Sequence, residues 1–185
     1  MLEVLIMIPD ISIRPEHPDD RAEVYQVIAG AFPTTAEAFL VERLRFALQD
    51  RVSLVAESED EIVGHILFTP VTIHDGAFSR AAVALGPMGV LPGYQRQEIG
   101  SRLITAGLQA CKEHGDTLVF VLGHPTFYQR FGFEPAAAKG LRYKDESYDP
   151  YFFVLELQEG SLEGNRGMVE YHPEFDKLES ATDVE

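Results

Sequence analysis

The sequence predicts an α/β (α+β) fold: a mixed, mostly antiparallel sheet with one parallel pair of strands and helices on both faces. Residues 81–90 form an apolar run that ends at a Leu-Pro-Gly turn signal. A helix follows and ends at Gly115. Its apolar face carries Leu103, Ile104, Leu108 and Cys111. Residues 117–123 are again continuously apolar, and because a helix crosses between them, these fourth and fifth strands are predicted to be parallel.

The first part of the chain predicts a strand followed by two helices. Residues 11–14 alternate as a strand does, and Asp19 or Asp20 is placed to cap the first helix. The second helix begins at Thr34 and Glu37, which have the spacing of a capping box.

Two more strands are predicted ahead of the apolar run. They occupy residues 52–57 and 62–73, with polar turns at 58–61 and 74–76. Such short links predict that these strands and the fourth strand form an antiparallel meander.

Composition limits the classes of partner. The 185 residues suit one domain, and the formal charge is −15 from 15 basic and 30 acidic residues. This charge argues against nucleic acid or an anionic membrane as a partner and favours a cationic substrate such as an amine. The single cysteine, Cys111, is predicted to be a core residue. Residues 1–9 lack the features of a signal peptide, so the expected compartment is the cytoplasm, and a homodimer is compatible with this composition.

The loop between the fourth strand and its helix is a candidate anion site. Backbone N–H groups at a helix N-terminus have no partner within the helix and favour a phosphate. Gly100 would let a bulky ligand approach, and Arg96 and Arg102 would add positive charge. The alternative is an ordinary strand-to-helix connection.

A second feature is the Gly-Pro-Met-Gly run at residues 86–89, inside the fourth strand. Proline cannot donate to a ladder, and glycine in a strand often marks a bulge or a close backbone approach. Either the strand is kinked at a sheet edge, or it is bulged and parts from its neighbour so that backbone polar groups are exposed.

The loop resembles motif A of the GNAT superfamily of acetyl-CoA-dependent N-acetyltransferases. The matching residues are Val90, Pro92, Tyr94, Gln95, Ile99, Gly100 and Ser101. Arg96 and Glu98 stand where the family commonly has glycine, and Glu98 would place a carboxylate beside a diphosphate. The resemblance implies that acetyl-CoA is bound by Met88, Gly89, Val90, Gln95, Arg96, Gln97, Glu98, Ile99, Gly100 and Ser101.

Residues 124–133 resemble motif B of the same family, in which a short helix carries a tyrosine before Arg-Phe-Gly-Phe. Tyr128 occupies the position of the tyrosine that commonly protonates the leaving thiolate, whereas the neighbouring Phe127 has no hydroxyl. The alternative is that Tyr128 only packs against the sheet. Together with the aromatic strand at residues 151–157, the two motifs resemble the small bacterial acetyltransferases of the family.

The general base is left unassigned by the sequence. Some GNAT enzymes carry a glutamate on the fourth strand, but residues 81–90 contain no carboxylate. His65 could titrate near neutral pH, but a lone histidine on a strand more often has a structural than a catalytic role. Glu37, Glu42 and His124 are weaker candidates.

The implied function is transfer of an acetyl group from acetyl-CoA to a primary amine by direct attack in a ternary complex, without a metal. The family resemblance implies acceptor walls at residues 32–48 and 143–151, with Tyr143, Tyr148 and Tyr151 as lining. One alternative is a non-catalytic acyl-CoA-binding or sensing domain, and another is a phosphate-binding protein unrelated to CoA.

The predicted domain spans residues 10–160. Residues 161–185 are predicted to be an extension with an edge strand at 167–171 and an acidic, disordered tail at 179–185.

Overall fold

The computed structural model describes residues 10–49 and 51–178, and the strands within these ranges join in one mixed sheet. Its main path runs β1-β2-β3-β4-β5-β8-β6, while β9 pairs with both β3 and β7. The strands are β1 (Ile11–Pro15), β2 (Val52–Ser58), β3 (Glu61–Asp75), β4 (Phe78–Val90), β5 (Leu118–Leu122), β6 (Glu134–Pro135), β7 (Leu141–Arg142), β8 (Phe152–Glu156) and β9 (Gly167–Glu170). The helices are α1 (Arg21–Ala31), α2 (Ala36–Ala47), α3 (Ile99–His114) and α4 (Pro125–Tyr128).

The predicted fold class is confirmed, including the parallel pair. Strands β1 to β4 are antiparallel neighbours, and β4 and β5 pair in parallel. That pairing joins residues 83–85 to residues 119–121 and goes no further. Strand β4 continues to Val90, so its last five residues are not paired with β5, and a gap opens between the two strands.

The predicted bulge lies where β4 begins to leave β5. Ile66 of β3 pairs with Met88, and Phe68 pairs with Leu85. One residue of β3, Leu67, therefore faces the two residues 86 and 87 of β4, which is the two-against-one count of a β-bulge.

The core has three parts, because side chains alternate between the two faces of the sheet. On one face, α3 packs Leu103 and Ile104 against β2, β3 and β4. On the other face, α1 and α2 cover the half of the sheet that carries Val55 and Leu67. The remaining half of that face is covered by chain that follows β5; its buried aromatic residues are Phe120, Tyr143 and Phe152.

The end of α3 follows the sequence prediction. Gly115 has φ +99° and its N–H reaches the carbonyls of Cys111 and Lys112. Cys111 is buried, as predicted, and burial, followed by the charge of Asp116, raises the pKa of its thiol to about 12.

The two predicted caps at the starts of α1 and α2 are wrong in detail. Asp20 precedes α1, but its carboxylate accepts from His17 N (2.7 Å) and from Arg14 rather than from the helix. Thr35, not Thr34, occupies the N-cap position of α2, and its side chain makes no capping hydrogen bond. Thr34 Oγ1 accepts from Ala36 N (3.3 Å) and donates to Glu37 Oε2 (3.5 Å), so the two predicted residues meet but no capping box forms. In both cases a nearby competing partner takes the capping oxygen.

The strand predicted after residue 160 is present as β9, but it is not at an edge of the sheet, because it has a neighbour on each side. It runs antiparallel to residues 72–74 of β3 and parallel to β7. The predictions for residues 1–9 and for the acidic tail at 179–185 fall outside the described residues. Among residues 10–49 and 51–178, none of the helices is long and apolar enough to cross a bilayer.

Candidate active site

The gap between β4 and β5 exposes backbone polar groups of β4. Leu91 N donates to Val63 O (2.9 Å), and hydrogen-bonded pairs alternate along an antiparallel ladder. With the observed register, Gly89 therefore bonds to β3, whereas the N–H and C=O groups of Met88 and Val90 point to the other edge. That edge is the one that β5 has left, so these groups face the gap.

The loop between β4 and α3 has a backbone suited to an anion. Arg96 and Glu98 both adopt the left-handed conformation, with φ +61° and +60°. The main-chain hydrogen bonds that enter α3 start with Arg102 N to Glu98 O (2.9 Å), so the N–H groups just before Arg102 are the ones that a helix leaves unpaired. A left-handed residue beside a helix N-terminus turns successive N–H groups toward one point, as in an anion-binding nest.

The loop and the gap form one cleft of about 470 Å³. Its lining includes every predicted cofactor-binding residue except Gln97: Met88, Gly89, Val90, Gln95, Arg96, Glu98, Ile99, Gly100 and Ser101, together with Tyr94, Phe127 and Arg130. A Cβ placed at Gly100 would lie 3.9 Å from Met88 Cε and Phe127 Cζ, at ordinary van der Waals distance.

Two charged residues of the loop can be compared with the sequence expectation. The sequence left open whether the Glu98 side chain points to solvent or weakens phosphate binding; the side chain is 71% exposed, and its carboxylate lies 3.5 Å from the guanidinium of Arg130. Arg102 does not contribute charge to the cleft, because its guanidinium donates to the carbonyl of Ile11. Arg96 and Arg130 are the cations among the lining residues.

Arg130 and Phe127 are lining residues that sequence reasoning missed. Both belong to the motif B segment, and the ring of Phe127 lies 5.7 Å from the guanidinium carbon of Arg130. Their positions next to Tyr128 in the sequence could have indicated that Phe127 and Arg130 line the cleft. They belong to the same short helix and turn as Tyr128, and this segment faces the start of α3.

Side chains of the loop brace it rather than reach into the cleft. Gln95 Nε2 donates to Val90 O (2.9 Å), and Gln97 Nε2 donates to Gly93 O (3.1 Å). The Tyr94 hydroxyl donates a hydrogen bond to Glu61 (2.9 Å), the first residue of β3. These bonds stabilise the loop backbone in the conformation that presents its N–H groups.

Tyr128 is positioned by close packing at the end of β5. Its ring lies against Gly123, where a Cβ would come within 2.3 Å of Tyr128 Cε2. Phe127 and Phe133 hold the ring edge-on, with centroids at 5.1 Å and 5.9 Å. Burial raises the pKa of the Tyr128 phenol to about 12, so it is protonated at neutral pH.

Comparison with known proteins agrees with this geometry. Residues 12–136 match the model of the acetyltransferase (GNAT) domain. The chain belongs to the GNAT acetyltransferase family. As a member of this family, it is an acyltransferase of the N-acetyltransferase type.

Relatives of the chain are found among bacterial GNAT proteins. The uncharacterized N-acetyltransferase YhbS of Escherichia coli (strain K12) is 34% identical over 90% of this chain and 99% of its own length. The crystal structure of YhbS from Escherichia coli in complex with CoA superposes with a TM-score of 0.85 and 33% identity, covering 91% of this chain and 93% of that one. A GNAT acetyltransferase from Brucella melitensis in complex with acetyl-CoA has a TM-score of 0.73 and 34% identity, covering 90% and 99%.

The residues considered as general base in this GNAT chain lie outside the cleft. His65 is fully buried, with Nε2 2.9 Å from Ser53 Oγ and 3.3 Å from Glu16 Oε2. Burial lowers its pKa, and Glu16 opposes that change only in part. Glu42 is engaged in ion pairs with Arg21 and Arg45. None of these side chains lines the gap between β4 and β5.

The three tyrosines predicted to line the acceptor site of this GNAT chain are in different environments. Tyr143 is 5% exposed and belongs to the core, where its ring meets Tyr148 at 5.1 Å. Tyr151 is 51% exposed. The backbone of Tyr151 accepts from Gly123 N (2.9 Å), which places it at the end of β5 close to Tyr128.

Proposed function

We propose that this protein transfers an acetyl group from acetyl-CoA to a primary amine, by direct attack within a ternary complex. The single observation that carries the proposal is the convergence of three features on one gap in the sheet. These are the helix N-terminus with its left-handed loop, the unpaired edge of β4 and the segment that carries Tyr128. The CoA and acetyl-CoA in the two structural relatives support the choice of cofactor.

The residues of the cleft fit CoA chemically. A diphosphate requires several convergent N–H donors, and the loop before α3 offers those that precede Arg102. Arg96 and Arg130 supply local positive charge in a protein whose formal net charge is −15. The pantetheine arm contains amide groups, and the partners we assign to it are the N–H and C=O groups of Met88 and the N–H of Val90, since the Val90 carbonyl already accepts from Gln95.

Acetyl-CoA supplies the activated acetyl group as a thioester. An N–H of Met88 or Val90 would stabilise the carbonyl oxygen as it gains negative charge. The C–N bond forms as the C–S bond breaks, and the amine nitrogen releases a proton to solvent water. Tyr128 would donate its proton to the departing sulfur and recover a proton from solvent. An alkyl thiol has a pKa of about 8.5, so the phenol is the weaker acid but is fully protonated and in place when the thiolate forms. Holding both reactants together would supply much of the remaining acceleration.

A non-catalytic acyl-CoA-binding domain is the second candidate. The observation in its favour is that β4, residues 78–90, carries no carboxylate that could act as a base. Such a domain would be stabilised by CoA without releasing thiol from acetyl-CoA in the presence of amines.

The test is release of free CoA thiol from acetyl-CoA in the presence of a panel of amines, peptides and aminoglycosides. We expect the unchanged protein to release thiol with at least one acceptor. Tyr128→Phe should lower kcat by about 100-fold, in the range typical of a lost general acid, with the KM for acetyl-CoA within about twofold.

Tyr25→Phe is the matched control, because Tyr25 lies on α1 and packs against Phe39 rather than in the gap. An unchanged kcat in Tyr128→Phe would contradict the assigned role of Tyr128. Thermal stabilisation by CoA with no thiol release across the panel would favour the binding domain instead.

A further inference from the structure

A second cavity lies at the opposite end of β1 and β2 from the loop before α3. It has a volume of about 630 Å³ and is bounded by the link between β1 and α1, the end of α2, the start of β2 and part of α3. Val52, at the start of β2, pairs with Phe68, whereas the part of β3 that pairs with the exposed edge of β4 is residues 64–66. In the part of the chain that the structure describes, no residue lines both this cavity and the cofactor cleft.

Three arginines from different parts of the chain line the second cavity. Arg21 is the first residue of α1, Arg45 lies on α2, and Arg51 directly precedes β2. They are three of only 15 basic residues in a chain with 30 acidic ones. Because like charges repel, guanidinium groups that meet at one cavity need anionic partners there.

Two of these positive charges are offset by carboxylates of the protein. Arg45 forms ion pairs with Glu16 and Glu42. Arg21 also pairs with Glu42. The Glu16 side chain is only 7% exposed, so this part of the cavity wall is buried. A guanidinium has five N–H donors in a rigid plane, so these ion pairs orient both arginines and leave N–H groups for a further acceptor.

The charge of Arg51 is not offset in this way. Its Nη1 donates to the carbonyl of Leu48 at the end of α2 (2.6 Å), and among the described residues its guanidinium forms no ion pair. Three arginines against two carboxylates therefore leave one positive charge at the cavity wall. A ligand with an anionic group would supply the missing partner.

The second cavity also has an apolar wall, to which Pro15, Pro18, Val52, Leu54 and Ala110 contribute. Pockets that bind small molecules typically have about 300–1,000 Å³ and combine apolar walls with a few polar or charged groups. At about 630 Å³, this cavity is larger than an inorganic ion alone would fill. Its lining therefore favours an organic molecule that carries an anionic group.

We propose that the second cavity binds a small organic anion. The carboxylate or phosphate group of the ligand is held by Arg51 and by the remaining N–H groups of Arg21 and Arg45. Its apolar part lies against Leu54 and Ala110. A carboxylate and a phosphate ester both present the paired oxygens that a guanidinium recognises. This site is separate from the acetyl-transfer centre, and the inference does not depend on the proposed function.

The first test is calorimetry with four probes: phenyl phosphate, 4-phenylbutyrate, inorganic phosphate and the neutral benzyl alcohol. CoA is present throughout, so that the cofactor cleft is occupied. We expect at least one of the two organic anions to bind, about tenfold or more tightly than inorganic phosphate and benzyl alcohol. Which of the two binds distinguishes a phosphate ester from a carboxylate as the class of ligand.

Arg51→Gln should weaken this binding by about tenfold or more, because it removes the positive charge that is not offset. Arg80→Gln is the matched control, since Arg80 is an exposed arginine of β4 outside the cavity, and it should change the dissociation constant by less than about twofold. Melting temperatures check that both variants are folded. The inference is overturned if neither organic anion binds at about 10 mM, if Arg51→Gln binds equally well, or if inorganic phosphate or benzyl alcohol binds as tightly.

The second test locates the probe without changing an arginine. Protein with ¹³C-labelled alanine and methionine methyl groups is saturated with CoA, and the organic anion that binds is added. Ala110 lines the second cavity and Met88 lines the cofactor cleft, and Ala110→Ser and Met88→Leu identify their signals. A shift of the Ala110 signal that exceeds that of Met88 supports the inference, and any other result overturns it.

Discussion

At the residue scale, the position of Tyr128 depends on the hydrogen that Gly123 has in place of a side chain. The ring lies directly on the Gly123 backbone, at a distance that no Cβ could share. Gly123 in turn donates its N–H to Tyr151 O (2.9 Å), so its own backbone is fixed at the end of β5. Gly123 has no reactive group, but the absence of its side chain determines the position of the Tyr128 phenol.

Gly123→Ala should therefore impair turnover without removing any reacting group. The added methyl must push the Tyr128 ring away, and misplacement of a reacting group by about 1 Å can lower kcat by about 10- to 100-fold. Binding of CoA, measured by calorimetry, should change little because the loop before α3 is untouched. Adding Gly123→Ala to Tyr128→Phe should lower kcat little further, and fully additive losses would contradict this explanation.

At the element scale, the loop that leads into α3 adopts left-handed backbone at two residues that are not glycine. A residue with a Cβ costs about 1–2 kcal/mol in this conformation relative to the right-handed one. Arg96 and Glu98 accept that cost at the positions where the family commonly has glycine. The Glu98 carboxylate is 3.5 Å from the Arg130 guanidinium, so it offsets part of the positive charge that the cleft offers to an anion.

Two substitutions at residue 98 separate backbone from charge. Glu98→Gly removes the strain of a left-handed residue with a Cβ but adds the entropy cost of glycine, so it should raise the free energy of unfolding by a net amount of about 0.5–1 kcal/mol. Glu98→Ala keeps the Cβ and should not raise it. Both remove the carboxylate and should tighten CoA binding by about two- to fivefold, measured by calorimetry at low salt. Equal stabilisation by alanine and glycine would contradict the backbone explanation.

At the scale of the whole molecule, a buried polar cluster joins four elements. Glu16, in the link between β1 and α1, accepts from Ser53 of β2 and pairs with Arg45 of α2 and with His65 of β3. Burial by itself would raise the pKa of Glu16, but the hydrogen bonds of His65 and Ser53 and the charge of Arg45 outweigh it and lower the pKa to about 2. His65 Nδ1 has no hydrogen-bond partner among residues 10–49 and 51–178, so the neutral ring that donates from Nε2 to Glu16 is the form that suits the site.

This cluster predicts a loss of stability in acid. A carboxyl with a depressed pKa stabilises the fold above its ordinary pKa, here 4.5, and the contribution is lost as the pH falls toward about 2. Burial lowers the pKa of His65 below its ordinary 6.5, so protonation of the unfolded chain already weakens the fold as the pH falls through 6.5. Both effects have the same sign. Urea unfolding from pH 7 to pH 2.5 should show stability declining throughout.

The matched variants are Glu16→Gln and Glu163→Gln. Glu16→Gln should lower the free energy of unfolding at pH 7 by about 3 kcal/mol, because Arg45 is left without its buried partner, and should flatten the decline below pH 5. Glu163 lies in an exposed turn, so its substitution should leave the curve unchanged. A Glu16→Gln curve parallel to that of the unchanged protein would show that other groups control the acid response.

Local sequence patterns determined the elements and their type. Apolar periodicity and turn residues placed the long strands, α3 with its Gly115 cap, and the loop whose motif indicated the family. These signals depend on neighbours within about ten residues, so they can be read without knowing the fold. The predicted caps of α1 and α2 were wrong for two reasons. The Asp20 carboxylate accepts from Arg14 and from His17 N instead of from the helix, and Thr34 Oγ1 accepts from Ala36 N in a local turn.

Only the tertiary structure decided what the side chains of those elements do. It paired Glu98 with Arg130, turned Arg102 toward β1, added Phe127 and Arg130 to the cleft, and packed Tyr171 against Tyr143. Such outcomes join residues that are far apart in sequence, and they depend on crossing strands and on the space left between packed rings. The chain pattern carries periodicity and turn chemistry, but it does not carry the distances on which binding and proton transfer depend.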